Sequence, residues 1–156
     1  MPIPPFVVEL RAKVGHHPLP LPSATAVVLD DDGRVLLVRR ADNDRWALVT
    51  GCLEPGEQPA AGAVREVEEE TAVRAAAEQI VSVTALPLAL CPNGDQVHWL
   101  DITFRCRVTG GCARVNDDES TDVGWFPLEA LPASLPDRHR QCIADAVANQ
   151  TAAKFV

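Results

Sequence analysis

Residues 51–73 constrain the fold of this 156-residue chain more than any other segment, because acidic residues recur there at fixed spacings. Pro59 suits the first turn of a helix, and the pattern predicts that this helix runs to about Glu70. Glu66, Glu69 and Glu70 stand at i, i+3 and i+4, so they share an arc of about 100°. The residues expected on the opposite side are Ala60, Val64, Val67 and Thr71. The segment therefore predicts a loop and an amphipathic helix that packs against a sheet.

Crowded carboxylates on one helix face repel one another unless a cation neutralises them. Hard divalent ions prefer oxygen ligands, and Mg²⁺ keeps some of its waters and also binds substrate phosphates. Arg65 can pair with Glu57 or Glu69 and thereby hold the ligands in orientation. Glu68 points about 100° or more away from the other three glutamates, so it is expected to be a bystander. The alternative is a solvated acidic helix face with no metal site.

The spacing of these residues resembles the signature box of the Nudix hydrolases. The match runs Gly51, five residues, Glu57, seven residues, then Arg65-Glu66-Val67-x-Glu69-Glu70-x-Ala72-Val73. Ala72 departs from the family, which usually has Gly there in a left-handed conformation past the helix end. That conformation costs an Ala about 1 kcal/mol. Trp46-Ala47-Leu48 is similar to the usual W-x-L before the box, whereas Val49-Thr50 replaces a common Pro-Gly.

The resemblance covers the chain from near Pro22 to near Leu135 and implies an α/β (α+β) fold. The expected architecture is a Nudix-type α/β/α sandwich with a mixed, curved sheet. Residues 1–21 are expected to form an N-terminal helix and connector, and residues 22–156 the Nudix domain, within one globular unit. The predicted helices are 5–15, 59–70, 128–131 and 138–152. The predicted strands are 24–29, 35–40, 46–50, 80–90, 96–108 and 122–126, with a connector at 16–22 and a turn at 110–111.

The resemblance also implies a Mg²⁺ site, with Mn²⁺ as an alternative ion. The carbonyl before the box Gly often binds metal in the family, which assigns that role to Thr50. An acidic residue beyond the box often reaches the metal, and Glu119, six residues before Trp125, matches that arrangement. The implied metal ligands are Glu66, Glu69, Glu70, Thr50 and Glu119, and the implied catalytic residues are Glu66, Glu69, Arg65, Glu57 and Glu119. Glu66, Glu69 and Glu119 all remain candidates for the general base.

The implied reaction is hydrolysis of the diphosphate bond in a nucleoside diphosphate linked to another moiety. ADP-ribose or a similar nucleotide sugar is the favoured substrate, and a nucleoside triphosphate, including oxidised forms, is the alternative. A non-catalytic Nudix-fold ligand sensor is kept as a second class, and isopentenyl-diphosphate-type isomerisation as a weaker third. Candidate substrate contacts are Arg39 and Arg40 for phosphate or ribose and Trp46 for a base. The expected partner is therefore a small-molecule nucleotide.

Composition and net charge narrow the possible partners and cellular locations of the protein. The formal net charge of −8 repels nucleic-acid backbones, so no nucleic-acid partner is expected. No apolar run is long enough to span a bilayer, and the first residues show no secretory signal. The five cysteines are scattered without a CxxC, which favours a reducing cytoplasm over a disulfide framework. The sequence leaves the oligomeric state open, with a homodimer as one alternative.

Overall fold

The computed structural model describes residues 3–155, which form three α-helices, one short 3₁₀ helix and nine strands. The helices are α1 (Pro5–Val14), α2 (Pro59–Thr71) and α3 (Asp137–Ala148), with the 3₁₀ helix at Leu128–Ala130. The strands are β1 (Leu19–Leu29), β2 (Val35–Arg40), β3 (Trp46–Ala47), β4 (Val49–Cys52), β5 (Val73–Ala85), β6 (Ala89–Leu90), β7 (Gln96–Gly111), β8 (Ser120–Phe126) and β9 (Lys154–Phe155).

All nine strands belong to one mixed sheet, in which six strands follow the order β3-β2-β1-β7-β5-β9. The other three strands pair outside this order: β4 with β1, β6 with β7 and β8 with β2. The central pair, β1 and β7, is parallel from Leu19↔Val97 to Leu29↔Arg107. Strand β5 runs antiparallel to β7, and β9 lies parallel to β5. The predicted mixed sheet is therefore confirmed.

The sheet is covered on both faces because successive strand residues point to opposite sides. On β1, Ala26 and Val28 join a buried cluster with Val67 of α2. The alternate residue Val27 joins a second cluster with Ile143 of α3. The helices thus lie on opposite faces, which confirms the predicted α/β/α sandwich.

Strand β1 changes partners along its length, and this change opens the sheet. It pairs with β2 only at Leu29↔Val35, and with β4 from Ser23↔Cys52 to Ala26↔Val49. Strand β2 instead pairs mainly with β8. The predicted hairpin of residues 24–29 and 35–40 is thus reduced to one paired position. A cleft opens where β2 and β4 separate, lined from these two sides by residues such as Val38 and Thr50.

Three predicted features of the sheet are wrong. Strand β1 begins at Leu19 and not at residue 24, because the supposed connector pairs with β7. Strand β5 begins at Val73 and not at residue 80, directly after α2. Gly110 and Gly111 lie within β7 and pair with the start of β5, so they form no turn. A Cβ on Gly111 would lie 2.2 Å from the Ala72 carbonyl oxygen, so this glycine permits a close backbone approach.

The N-terminal helix is confirmed; it ends at Val14, and Gly15 follows it as the C-cap residue. Val7 is buried in a small cluster with Leu21 and Val97. The Arg11 guanidinium donates to the carbonyl of Gln96 at 2.8 Å and fixes the helix to the start of β7. Helix α3 ends at Ala148, before the predicted residue 152, because Asn149 adopts a left-handed conformation. None of the helices in the described range 3–155 is long and apolar enough to cross a membrane.

Candidate active site

Helix α2 lies against β4 at a point where only glycine fits. A Cβ on Gly51 would stand 2.0 Å from the carboxyl carbon of Glu66, so the absence of a side chain lets Glu66 cross the strand. Pro59 occupies the first helical turn, as predicted. At the other end Ala72 has φ 59° and ψ 10°, the left-handed conformation expected after the helix. These features fix the position of α2 relative to the sheet.

Arg65 links three glutamates through its guanidinium group. Its Nε and Nη2 donate to the two carboxylate oxygens of Glu57, at 2.7 and 3.0 Å. Its Nη1 donates to Glu66 at 2.8 Å and to Glu69 at 3.0 Å. The Arg65 hydrogen bonds hold the pKa of Glu57 below its ordinary value. Arg65 therefore joins the loop glutamate to the helix glutamates and restricts the rotamers of all three.

Glu70 is the most buried carboxylate of the helix, with only 6% of the residue exposed. Burial raises its pKa to about 8, and the nearby negative charges of Glu119 and Glu66 add to the shift. Its carboxylate accepts a hydrogen bond from the Ser120 hydroxyl at 3.3 Å. Burial also raises the pKa of Glu66 and of Glu119. The protein thus gathers negative charge here without supplying enough positive charge to balance it.

The cleft between β2 and β4 is the candidate reaction site. It is a narrow space of about 20 Å³, lined by Val38, Arg40, Asp42, Leu48, Thr50, Glu70 and Glu119. That volume is on the order of one water molecule or small ion. A larger open groove of about 620 Å³ runs along the other side of α2, past Glu68 and Glu69. We place the chemistry in the narrow cleft because it contains the buried carboxylate of Glu70 and faces Glu119.

The donors around the cleft suit a hard divalent ion. Within residues 3–155, no three His, Cys, Asp or Glu side chains are grouped so that they hold a metal ion by themselves. Mg²⁺ does not need such a cage, because it typically uses one or two carboxylates together with waters and substrate phosphates. The buried carboxylate of Glu70, whose pKa is raised by burial, is the observation that fits a cation site. The oxygen-only donor set favours Mg²⁺ or Mn²⁺ over softer metals.

Thr50 belongs to a hydrogen-bond chain that the sequence did not reveal. Its hydroxyl lies 3.0 Å from the hydroxyl of Thr25, which donates to Asp101 at 2.8 Å. Since the Thr25 proton points to Asp101, Thr50 must be the donor to Thr25. Asp101 is fully buried and also accepts from Arg138 of α3 at 2.6 Å. Ser23 and Thr25, polar residues in an otherwise apolar strand, were the only sequence signal of this network.

The three predicted substrate contacts occupy different surroundings. Arg40 lines the cleft, and its guanidinium pairs with Asp42 at 2.5 Å. Arg39 pairs with Asp44 at 2.8 Å and lies outside the cleft lining. Trp46 packs edge-on against Phe126, with ring centroids 4.7 Å apart, within the core beside α3. The geometry therefore brings only Arg40 to the carboxylates.

Cys52 follows Gly51 directly but is buried, and burial raises the pKa of its thiol to about 11. A thiol with so high a pKa is a poor nucleophile near neutral pH.

Comparison with known proteins places this site in a family. The model of the NUDIX domain family matches residues 19–146. A MutT-like protein of Streptomyces ambofaciens is 33% identical over 130 residues, which cover 83% of this chain and 79% of that protein. A putative 8-oxo-dGTP diphosphatase of Bacillus subtilis is 34% identical over 119 residues, covering 76% of this chain and 74% of that one. The chain therefore belongs to the Nudix family, and it is a Nudix pyrophosphohydrolase.

A solved structure shows the same fold at lower identity. The crystal structure of an ADP-ribose pyrophosphatase from Streptococcus suis has a TM-score of 0.64 and 20% identity, covering 88% of this chain and 98% of that chain. At this identity the likeness demonstrates the shared architecture only.

Glu70→Gln should stabilise the metal-free protein and weaken its response to Mg²⁺. Folding raises the pKa of Glu70 to about 8, so the folded protein holds this proton more tightly than the unfolded chain does. The resulting contribution to the free energy of unfolding is fully present below about pH 4.5 and is lost as the pH rises through about 8. At pH 9 without metal the variant should melt a few degrees above the wild type. Addition of Mg²⁺ should raise the melting temperature of the wild type more than that of the variant.

Differential scanning calorimetry with and without Mg²⁺ measures both effects. The matched control is Glu68→Gln, since Glu68 is exposed on the same helix. A Glu70→Gln protein that melts below the wild type at pH 9 and keeps the full Mg²⁺ response would contradict the assignment.

Proposed function

We propose that this enzyme hydrolyses nucleoside triphosphates, including oxidised forms, to a nucleoside monophosphate and pyrophosphate with Mg²⁺. The observation that carries the proposal is the buried carboxylate of Glu70 facing Glu119 in a cleft that Arg40 also lines. The choice of substrate class is supported by the two relatives at 33% and 34% identity, one MutT-like and one named a putative 8-oxo-dGTP diphosphatase. They favour the triphosphate alternative over the ADP-ribose substrate that the family resemblance favours.

The residues that would hold Mg²⁺ are Glu70, Glu119 and the carbonyl of Thr50 at the cleft. Glu66 and Glu69, which lie outside the cleft lining and contact Arg65, would complete the set. When bound, the ion supplies positive charge to the phosphate oxygens and lowers the pKa of water. Arg65 keeps Glu66 and Glu69 in their rotamers through hydrogen bonds of 2.8 and 3.0 Å. Preorganised ligands of this kind need little rearrangement when the substrate binds.

In the proposed reaction the oxygen of a water molecule attacks one phosphorus atom of the triphosphate. The bond between that phosphorus and the oxygen that bridges it to the next phosphate breaks. A carboxylate accepts the proton of the water, and the leaving group departs as pyrophosphate. Glu66, Glu69 and Glu119 remain candidates for this base. The pKa of Glu66 and of Glu119 is raised by burial, which makes each a better proton acceptor than an exposed carboxylate. The guanidinium of Arg40 can bind a substrate phosphate if its ion pair with Asp42 breaks.

The experiments below also distinguish the proposed function from two others. Hydrolysis of ADP-ribose or another nucleotide sugar uses the same carboxylates and differs only in how the rest of the substrate is bound. A non-catalytic sensor would have little need for the box carboxylates, yet all of them are present, and Arg65 binds three glutamates of this segment. The ordered carboxylates therefore favour catalysis.

Glu69→Gln and Glu70→Gln should each lower kcat about 100-fold or more, because each removes a charged ligand from the proposed site. Glu68→Gln should change kcat less than about threefold, since Glu68 is exposed and has no side-chain hydrogen bond among the described contacts. Pyrophosphate release from a nucleoside triphosphate at saturating Mg²⁺ measures the three rates. Equal losses in all three variants would remove the basis for the site.

A substrate panel tests the choice of nucleotide. With 8-oxo-dGTP, dGTP, ADP-ribose and a UDP-sugar at equal Mg²⁺, we expect kcat/KM to be highest for a triphosphate, by about tenfold or more over ADP-ribose. The products, pyrophosphate or two monophosphates, identify the bond that breaks. A higher kcat/KM for ADP-ribose would return the assignment to the nucleotide-sugar class. Tight nucleotide binding without turnover of any substrate would support the sensor.

A further inference from the structure

The segment 114–120 crosses the C-terminal end of α2, where the last carbonyls of any helix lack partners within the helix. Here these carbonyls have partners. The N–H of Arg114 donates to the carbonyl of Thr71 at 3.0 Å, and the N–H of Asn116 donates to that of Glu70 at 3.2 Å. The side-chain amide of Asn116 donates to the carbonyls of Glu68 and Glu69, at 3.1 and 3.0 Å. Asn116 alone therefore binds three successive carbonyls.

The orientation of this amide follows from its contacts. Both neighbours of its terminal atom are carbonyl oxygens, which only accept, so the NH₂ group and not the oxygen must face the helix. Helix α2 has no basic residue in its last turn that would neutralise its negative end. The N–H groups of Asn116 bind the terminal carbonyls of the helix instead.

The same segment also holds Glu119. The N–H of Glu119 donates to the side chain of Asp117 at 3.0 Å, and its carbonyl accepts from the N–H of Ala41 at 2.8 Å. One residue later, the Ser120 hydroxyl donates to the carboxylate of Glu70 at 3.3 Å. The chain from Asn116 to Ser120 thus joins the end of α2 to the end of β2 across the cleft.

We propose that Asn116 is a positioning residue that sets the distance between the α2 carboxylates and Glu119, and through it the affinity of the site for divalent metal. The inference rests on the proposed function, because it assigns Asn116 a task in the same metal site. Two of the three carbonyls it binds belong to Glu69 and Glu70. Its own backbone lies three residues before Glu119. Loss of the amide frees the helix end from the loop, so the ligands from the two sides no longer keep a fixed separation.

Asn116→Asp separates an effect of charge from an effect of ligand position, because the two predict opposite changes in the affinity for Mg²⁺. The substitution keeps the size of the side chain but replaces the donor by an acceptor that the helix carbonyls repel. By Coulomb attraction alone, an added negative charge beside the C-terminal end of α2 should tighten Mg²⁺ binding. If Asn116 positions the ligands, Mg²⁺ binding should weaken instead. Asn116→Ala removes the donors without adding charge and should weaken it as well.

The experiment is titration calorimetry of the full chain with Mg²⁺ alone, without substrate, well below the melting temperature of each variant. We expect both variants to raise the Kd about tenfold. In a Glu119→Gln background the effect of Asn116→Ala should fall below about twofold, because the ligand that the loop positions is gone. Asn116→Gln, which keeps an amide donor, should recover part of the affinity and replaces the alanine variant if that protein does not fold.

An unchanged Kd in Asn116→Ala, tighter binding in Asn116→Asp, or an equal loss with and without Glu119 would each overturn the inference. In those cases the wild type still binds Mg²⁺, so the proposed function stands. A wild type that binds no Mg²⁺ and shows no Mg²⁺-dependent turnover overturns the proposed function and this inference together. A lower melting temperature with an unchanged Kd would show that Asn116 only caps the helix.

Discussion

The burial of the Glu70 carboxylate beside the partly buried carboxylates of Glu66 and Glu119 is the constraint on which the site depends. Burial raises the pKa of Glu66, Glu70 and Glu119, so each of the three carries its negative charge at a cost in free energy. Arg65 compensates Glu66 but makes no hydrogen bond to Glu70 or Glu119 within the described chain. Under the proposed function, this cost would be offset when a cation and a polyphosphate bind together. The unfavourable concentration of negative charge would therefore favour the metal-bound state of the protein over the metal-free state.

The fold keeps these charges in place from several directions. The separation of β2 from β4 opens the cleft, and Gly51 lets α2 approach β4 closely enough for Glu66 to reach across it. The segment ending at Glu119 is attached to both the helix end and the strand end. On the far side of the sheet, Asp101 connects α3 to Thr50 through Thr25. Strands, helix and loop each contribute one fixed side of the site.

The sequence predicted the parts of the site that follow from local periodicity. Helical spacing placed Glu66 and Glu70 on one side and Glu68 away from them, and the i, i+4 relation anticipated the contact of Arg65 with Glu69. Long-range pairing was not readable. Strand β5 and the two glycines of β7 were misplaced because their structure depends on each other. The contacts of Asn116 and Asp101 were missed for the same reason, since their partners lie far away in the chain.

The position of the metal is the most direct test of this account. Crystals grown with Mn²⁺ and a non-hydrolysable nucleoside triphosphate would locate the ion by its anomalous scattering. The account predicts a peak in the cleft between β2 and β4, within coordination distance of Glu70 and of a substrate phosphate oxygen. A peak only in the outer groove beside Glu68, or none in the cleft although Mn²⁺ supports turnover in solution, would contradict it.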